Sequence, residues 1–160
     1  MVGREAVRTS ACRLDSLYGH HSNGVVILLV PMKVLFVCVG NSCRSQMAEG
    51  FAREYGHDAA SAGTTPASRV ASNAVEVMAE LGIDISAQTP QLLDLESLDS
   101  WDKVISMGCG VEETCPTLKA DADWGLDDPV SQGLDVYRNI RDQIMELVQI
   151  LETTMFHTHD

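Results

Sequence analysis

KVLFVCVGNSCRSQMAEGFAREYG, residues 33–56, is the stretch whose reading decides the fold. Residues 33–39, rich in β-branched and aromatic side chains, predict a buried strand. Residues 45–56 predict a helix that starts just after a tight loop. Between them lies CVGNSCR, residues 38–44. A strand entering a helix through such a loop turns successive backbone N–H groups, and the positive end of the helix dipole, toward one spot. Gly40 removes a Cβ where the backbone has to curl, and Asn41 tolerates left-handed φ and ψ. The loop is therefore a binding place for an anion, with Val39, Gly40, Asn41, Ser42, Cys43 and Arg44 as its lining.

Working outward, the chain alternates between strands and helices. Ala60–Ala62 predicts a short strand, and Ser68 is placed to cap a helix over residues 69–82, with Gly82 as its stop. Residues 90–98 predict one or two helical turns, residues 102–107 a buried strand, and residues 123–126 a short strand before Asp128-Pro129. Residues 133–154 predict a long amphipathic helix. Val136, Ile140, Ile144 and Val148 recur every four residues, and Leu134, Ile150 and Leu151 widen the apolar face. The expected fold is α/β: a three-layer, four-stranded parallel sheet with helices on both faces.

The 160 residues and 45% apolar composition fit one domain with a sizeable core. A formal charge of −12 excludes nucleic-acid binding through a general basic surface. Residues 1–31 differ in character, carrying Arg4, Arg8 and Arg13 against Glu5 and Asp15 and showing no sustained periodicity. They are expected to be a disordered N-terminal extension, with a single catalytic domain over residues 32–160; the alternative is that Val25–Val30 pairs as an extra strand. The apolar run Val25–Val30 is too short to span a membrane or to serve as a signal peptide. Five cysteines, an odd number, do not form a secreted disulfide framework and fit reduced thiols in the cytoplasm. His20, His21, His57, His157 and His159 stand apart from the cysteines, and no zinc-type spacing is present.

The same loop supplies chemistry. Cys38 lies near a helix N-terminus and an arginine, which together favour thiolate over thiol. Ser45 is placed to hydrogen-bond that sulfur. Arg44 can fold over the loop and grip two oxygens of a tetrahedral anion, a geometry lysine does not match. A covalent step on such an anion needs an activated nucleophile and a proton donor for the leaving oxygen. Asp128, held in extended backbone by Pro129, is the candidate donor, with Asp127 as its neighbour and competitor. Cys109 and Cys115 follow the 102–107 strand, at the end of the sheet where such folds place their sites.

These residues resemble the low-molecular-weight protein tyrosine phosphatase superfamily. The resemblance runs over about residues 33–150, through SAGT at 61–64, ELGIDIS at 80–86, Cys115-Pro116 and DWGLDDP at 123–129. Within it, GNSCRSQMAEGFAR at 40–53 looks like the arsenate reductase branch, because the phosphatases usually carry proline where this chain has Gln46. The phosphatases also follow the Asp-Pro pair with aromatic residues that wall a phenol pocket, whereas Val130, Ser131, Gln132 and Gly133 follow here. The resemblance implies an arsenate reductase in which Cys38 attacks arsenate, Asp128 protonates the leaving hydroxyl and a second thiol releases arsenite. Cys115 matches the last redox position of thioredoxin-coupled relatives. Gly108 occupies the aligned place of the middle cysteine, so Cys109, Cys115 or an external thiol all remain as resolving groups. The implied partners are a small inorganic oxyanion and a thioredoxin-like or small-thiol reductant, with no bound cofactor, no metal, no membrane and a monomeric chain. The competing implication is a phosphatase in which water hydrolyses a phosphocysteine on Cys38.

Overall fold

β1, Lys33–Cys38, forms where the sequence alternates large apolar side chains on both sides of the backbone, and it is buried along its length after Lys33. A computed structural model of the chain describes residues 31–108 and 110–154, with the backbone alone for residues 152–154. Cys12, Cys109, the Val25–Val30 run and the rest of the N-terminal extension lie outside the described residues. The order after β1 is α1 (Arg44–Glu54), β2 (Asp58–Gly63), α2 (Ser72–Ala79), a 3-10 turn (Leu95–Ser100), β3 (Lys103–Ser106), α3 (Val111–Thr114), β4 (Ala122–Asp123) and α4 (Leu134–Thr154).

The strands form one four-stranded sheet in the order β2-β1-β3-β4. Every pairing is parallel, with Cys38 beside Gly63, Val37 beside Ser106, and Ser106 beside Asp123. The carboxyl ends of all four strands therefore meet at one edge. β1 divides its side chains between two cores, as a strand buried on both faces must. Val34, Phe36 and Cys38 pack with Met47 and Phe51 of α1, Val77 and Met78 of α2, and Ile140 and Ile144 of α4. Leu35 and Val37 face a smaller cluster with Val104, Val111, Leu98 and Trp101. Among the described residues helices cover both faces, but unequally: one carries α1, α2 and α4, the other the 3-10 turn and the four-residue α3. Each tryptophan packs against the fold, Trp124 on Phe36 with ring centroids 5.5 Å apart and Trp101 under the Lys33 ammonium.

Two local expectations are corrected. Ser68 does not cap α2; the helix starts at Ser72 behind Ala71, which offers no side-chain cap. The segment before it is instead drawn toward the anion loop, with Ala67 and Ala71 donating their N–H groups to the carbonyls of Gly40 and Ser42. On α4, Val136 and Ile150 are solvent-exposed, and Tyr137 takes the first buried position ahead of Ile140, Ile144 and Val148. Spacings of three and four follow a 3.6-residue turn better than a strict repeat of four, which drifts off the core.

Candidate active site

The anion loop is shaped by where its carbonyls go. Thr64, Thr65, Ala67 and Ala71 donate their N–H groups to the carbonyls of Cys38, Val39, Gly40 and Ser42 at 2.8–3.1 Å. The Asn41 carbonyl accepts from Gln46 Nε2 at 3.0 Å. With the carbonyls engaged outside, the amide N–H groups turn inward. α1 then starts from Cys43 with no side-chain cap, so the N–H groups of its first turn are also without intrahelical acceptors. The left-handed residue of the loop is Asn41, with φ of 49°. Gly40, expected to be the steric necessity, would place a Cβ no closer than 3.5 Å to any side chain or backbone atom outside its neighbours. The tight glycine is Gly63 on β2, where a Cβ would lie 2.6 Å from the Val39 carbonyl and 2.9 Å from Asn41 Cβ.

Cys38 is almost fully buried at the end of β1. Its sulfur accepts the Asn41 N–H at 3.0 Å and lies 2.8 Å from Ser45 Oγ. Neighbouring amides settle which way the serine proton points. Gln88 Nε2 donates to Gln46 Oε1 at 2.8 Å, so the other end of the Gln46 amide donates to Asn41 Oδ1 at 3.1 Å. Asn41 Oδ1 also accepts from the Gln91 N–H at 2.9 Å. Asn41 Nδ2 must then donate to Ser45 Oγ, at 2.8 Å, leaving the serine O–H to donate to Cys38 Sγ. Two donors thus stabilise negative charge on the sulfur, and a buried relay holds them in place. Gln46 and Gln88 belong to this relay. Sequence reading used Gln46 only as a mark of resemblance; the available signal was a long amide side chain in the first turn of the helix, beside Met47 and Ala48.

Arg44 is also buried, and both protons of Nη1 are committed to backbone carbonyls, Met107 at 3.1 Å and Leu126 at 2.8 Å. Neither of these bonds uses Nε or Nη2, the edge with which a guanidinium can grip two oxygens of a tetrahedral anion. Nη2 lies 3.7 Å from Asp128 Oδ2, whose side chain is 48% exposed. Asp128 Oδ1 accepts the Val130 N–H at 3.1 Å, so the carboxyl is turned back over Arg44 by its own loop. Asp127 is exposed and makes no such contact.

A family model described as low molecular weight phosphotyrosine protein phosphatase matches residues 33–158. The chain belongs to this family. A glutaredoxin arsenate reductase from Synechocystis sp. is 45% identical over 124 residues, which are 74% of this chain and 95% of that protein. A solved arsenate reductase in its phosphate-binding state is 43% identical, with a TM-score of 0.66 over 77% of this chain and 98% of its own. A low molecular weight protein tyrosine phosphatase from T. tengcongensis is 32% identical, with a TM-score of 0.64 over 77% of this chain and 99% of its own.

In this member of the low-molecular-weight phosphatase family the other described cysteines differ sharply from Cys38. Cys43 is buried against Tyr137, its sulfur 3.3 Å from the phenol oxygen. Burial pushes its thiol above the usual range, against weaker opposing hydrogen bonds from Ser42 and Tyr137. Burial likewise raises the Tyr137 phenol, so both groups keep their protons. Cys115, half-buried just after α3, borders a cavity of about 470 Å³ with Ser106, Leu118, Lys119 and Asp121. Its sulfur meets Thr117 Oγ1 at 3.7 Å, and no described hydrogen bond joins it to the anion loop. Cys38, Asn41 and Ser45 are therefore joined by one set of contacts, and Arg44 and Asp128 by another. Among the described residues no group of three His, Cys, Asp or Glu is placed to hold a metal ion. No described helix is long and apolar enough to cross a membrane.

Proposed function

We propose that the protein is an arsenate reductase acting through Cys38. The observation that carries this reading is the 45% identity to an arsenate reductase across 95% of that enzyme's length. The site chemistry supports it. The Cys38 thiolate attacks arsenic(V) in an oxyanion held by the loop N–H groups and the Arg44 guanidinium. Asp128 gives its proton to the leaving hydroxyl, which departs as water, and the S–As bond forms. A second thiolate then attacks Cys38 Sγ. The S–S bond forms, the S–As bond breaks with its electron pair on arsenic, and arsenic leaves as arsenite. Two thiols are oxidised as arsenic is reduced by two electrons. An external thiol system, of the thioredoxin, glutaredoxin or small-thiol type, restores the enzyme. The second thiol is Cys115, Cys109 or the external thiol itself. The catalytic domain in this reading is residues 32–160, residues 1–31 are an extension to it, and the reduced thiols suit the cytoplasm.

The absence of an aromatic wall after Pro129 favours a small inorganic substrate: Val130, the first residue there, is 49% exposed. The second reading, hydrolysis of a phosphomonoester, would use the same Cys38, Arg44 and Asp128 with water as the final acceptor. Arsenate-dependent oxidation of a thioredoxin, glutaredoxin or small-thiol system, measured beside aryl phosphate hydrolysis, separates them. Thiol oxidation that tracks arsenate is expected. Robust hydrolysis with no arsenate turnover would overturn the reductase reading.

A further inference from the structure

We propose that Gly108 is a positioning residue for Arg44, and that the missing side chain at this position forms the seat of the guanidinium. Gly108 follows β3 with φ of +129°, a backbone region that side-chain-bearing residues rarely adopt. A Cβ built there would lie 2.6 Å from the Leu126 carbonyl oxygen, 3.0 Å from Leu126 N and 3.0 Å from Arg44 Nη1. These are the groups that hold the arginine. Nη1 donates to the carbonyls of Met107 and Leu126, and the Leu126 N–H donates to the Met107 carbonyl at 3.2 Å. Gly108 is thus the floor of a cup whose two rims are Met107 and Leu126. A methyl group on that floor pushes out the Leu126 carbonyl, the guanidinium, or both.

The rims belong to segments distant in sequence, after β3 and after β4. Closing the cup orders Arg44 before any anion arrives and also fixes the start of the loop that carries Asp128. A clamp held in place spends no binding energy on its own ordering, and misplacement by about 1 Å can reduce turnover on the order of a hundredfold.

The inference rests on Arg44 as an oxyanion clamp, and its test does not use arsenate turnover, so its failure is distinct from that of the reductase reading. The probe is inorganic phosphate, read as protection of Cys38 against alkylation by iodoacetamide in the full chain. Gly108→Ala and Gly108→Cys are expected to weaken phosphate protection tenfold or more. In a cycle with Arg44→Lys, the Gly108→Ala effect should largely disappear, the mark of action through the arginine. Phosphate protection within twofold of wild type in Gly108→Ala would overturn the proposal, as would an undiminished loss in the Arg44→Lys background. Should the variants not fold, the wild type carries the test: NMR of the Arg44 guanidinium without phosphate is expected to show slowly exchanging Nη1 protons. Freely averaged Nη resonances would contradict a preformed seat.

Discussion

The anion loop, residues 38–46, and the segment after β3, residues 107–116, stand at the same edge of the sheet but are built on opposite terms. In the loop, Cys38, Asn41, Cys43, Arg44, Ser45 and Gln46 are all buried, and the Asn41 N–H and Ser45 Oγ both meet the Cys38 sulfur. The segment after β3 forms only a single four-residue helix, entered through left-handed Gly110, with Val111 as its buried anchor and Glu112, Glu113 and Thr114 exposed. Attack on an oxyanion needs donors fixed in advance, since the charge develops in one place. Thiol exchange needs one sulfur to travel to another and a reductant to reach them, which suits an exposed, lightly anchored segment. The two halves of the proposed reaction thus make opposing demands, a buried cradle for attack on the anion and an accessible sulfur for thiol exchange.

The sharpest way to break this comparison is Cys38→Ser. It should lower both arsenate turnover and aryl phosphate hydrolysis by on the order of 10⁴-fold or more, as removal of a covalent nucleophile does. Surviving activity, measured under saturating substrate, would move the reaction out of the cradle altogether. Asp128→Asn should reduce kcat about a hundredfold by withdrawing the proton donor, with the alkylation rate of Cys38 nearly unchanged. A loss of alkylation in that variant would assign Asp128 to holding the loop and not to the leaving group. Ser45→Ala should slow Cys38 alkylation at neutral pH by roughly tenfold, since one donor to the sulfur in a buried network is lost. An unchanged rate would mean that the Asn41 N–H suffices.

The smallest effect lies inside the loop, between its two cysteines. Cys43 has its thiol raised by burial, so it stays protonated through neutral pH and becomes a nucleophile only as pH rises past the ordinary thiol range. Mass mapping after brief iodoacetamide treatment at neutral pH should find Cys38 modified and Cys43 intact. Raising the pH should bring in Cys43. Equal modification at neutral pH would remove the contrast that the donors create.

The cradle was legible in the sequence because its parts are local. A strand, a polar loop and a helix with Cys38, Asn41, Arg44 and Ser45 at close spacing specify their own geometry. What the sequence hid is what distant segments do for the loop. Gly40 looked necessary, yet the steric demand falls on Gly63, which reaches the loop only through the pairing of β1 with β2. Ser68 had the chemistry of a helix cap, but the stretch around it is recruited by the loop carbonyls instead. Gln88 and Gly108 lie in connections whose approach to Gln46 and Arg44 depends on the strand order, and hydrophobic patterning does not encode that order. Four strands and the long α4 could be read from periodicity, although the drift of a 3.6-residue turn moved Val136 out to solvent and Tyr137 in.

One measurement tests the central claim, that Cys38 passes its adduct to a thiol and not to water. The reduced protein is mixed with stoichiometric arsenate and a small thiol for a single turnover, quenched in acid, and its cysteines are mapped by mass spectrometry beside an assay for arsenite. Arsenite is expected in step with a disulfide that contains Cys38, joined to Cys109, Cys115 or the added thiol. Every cysteine remaining free, with no arsenite formed while the same preparation hydrolyses an aryl phosphate, would contradict it.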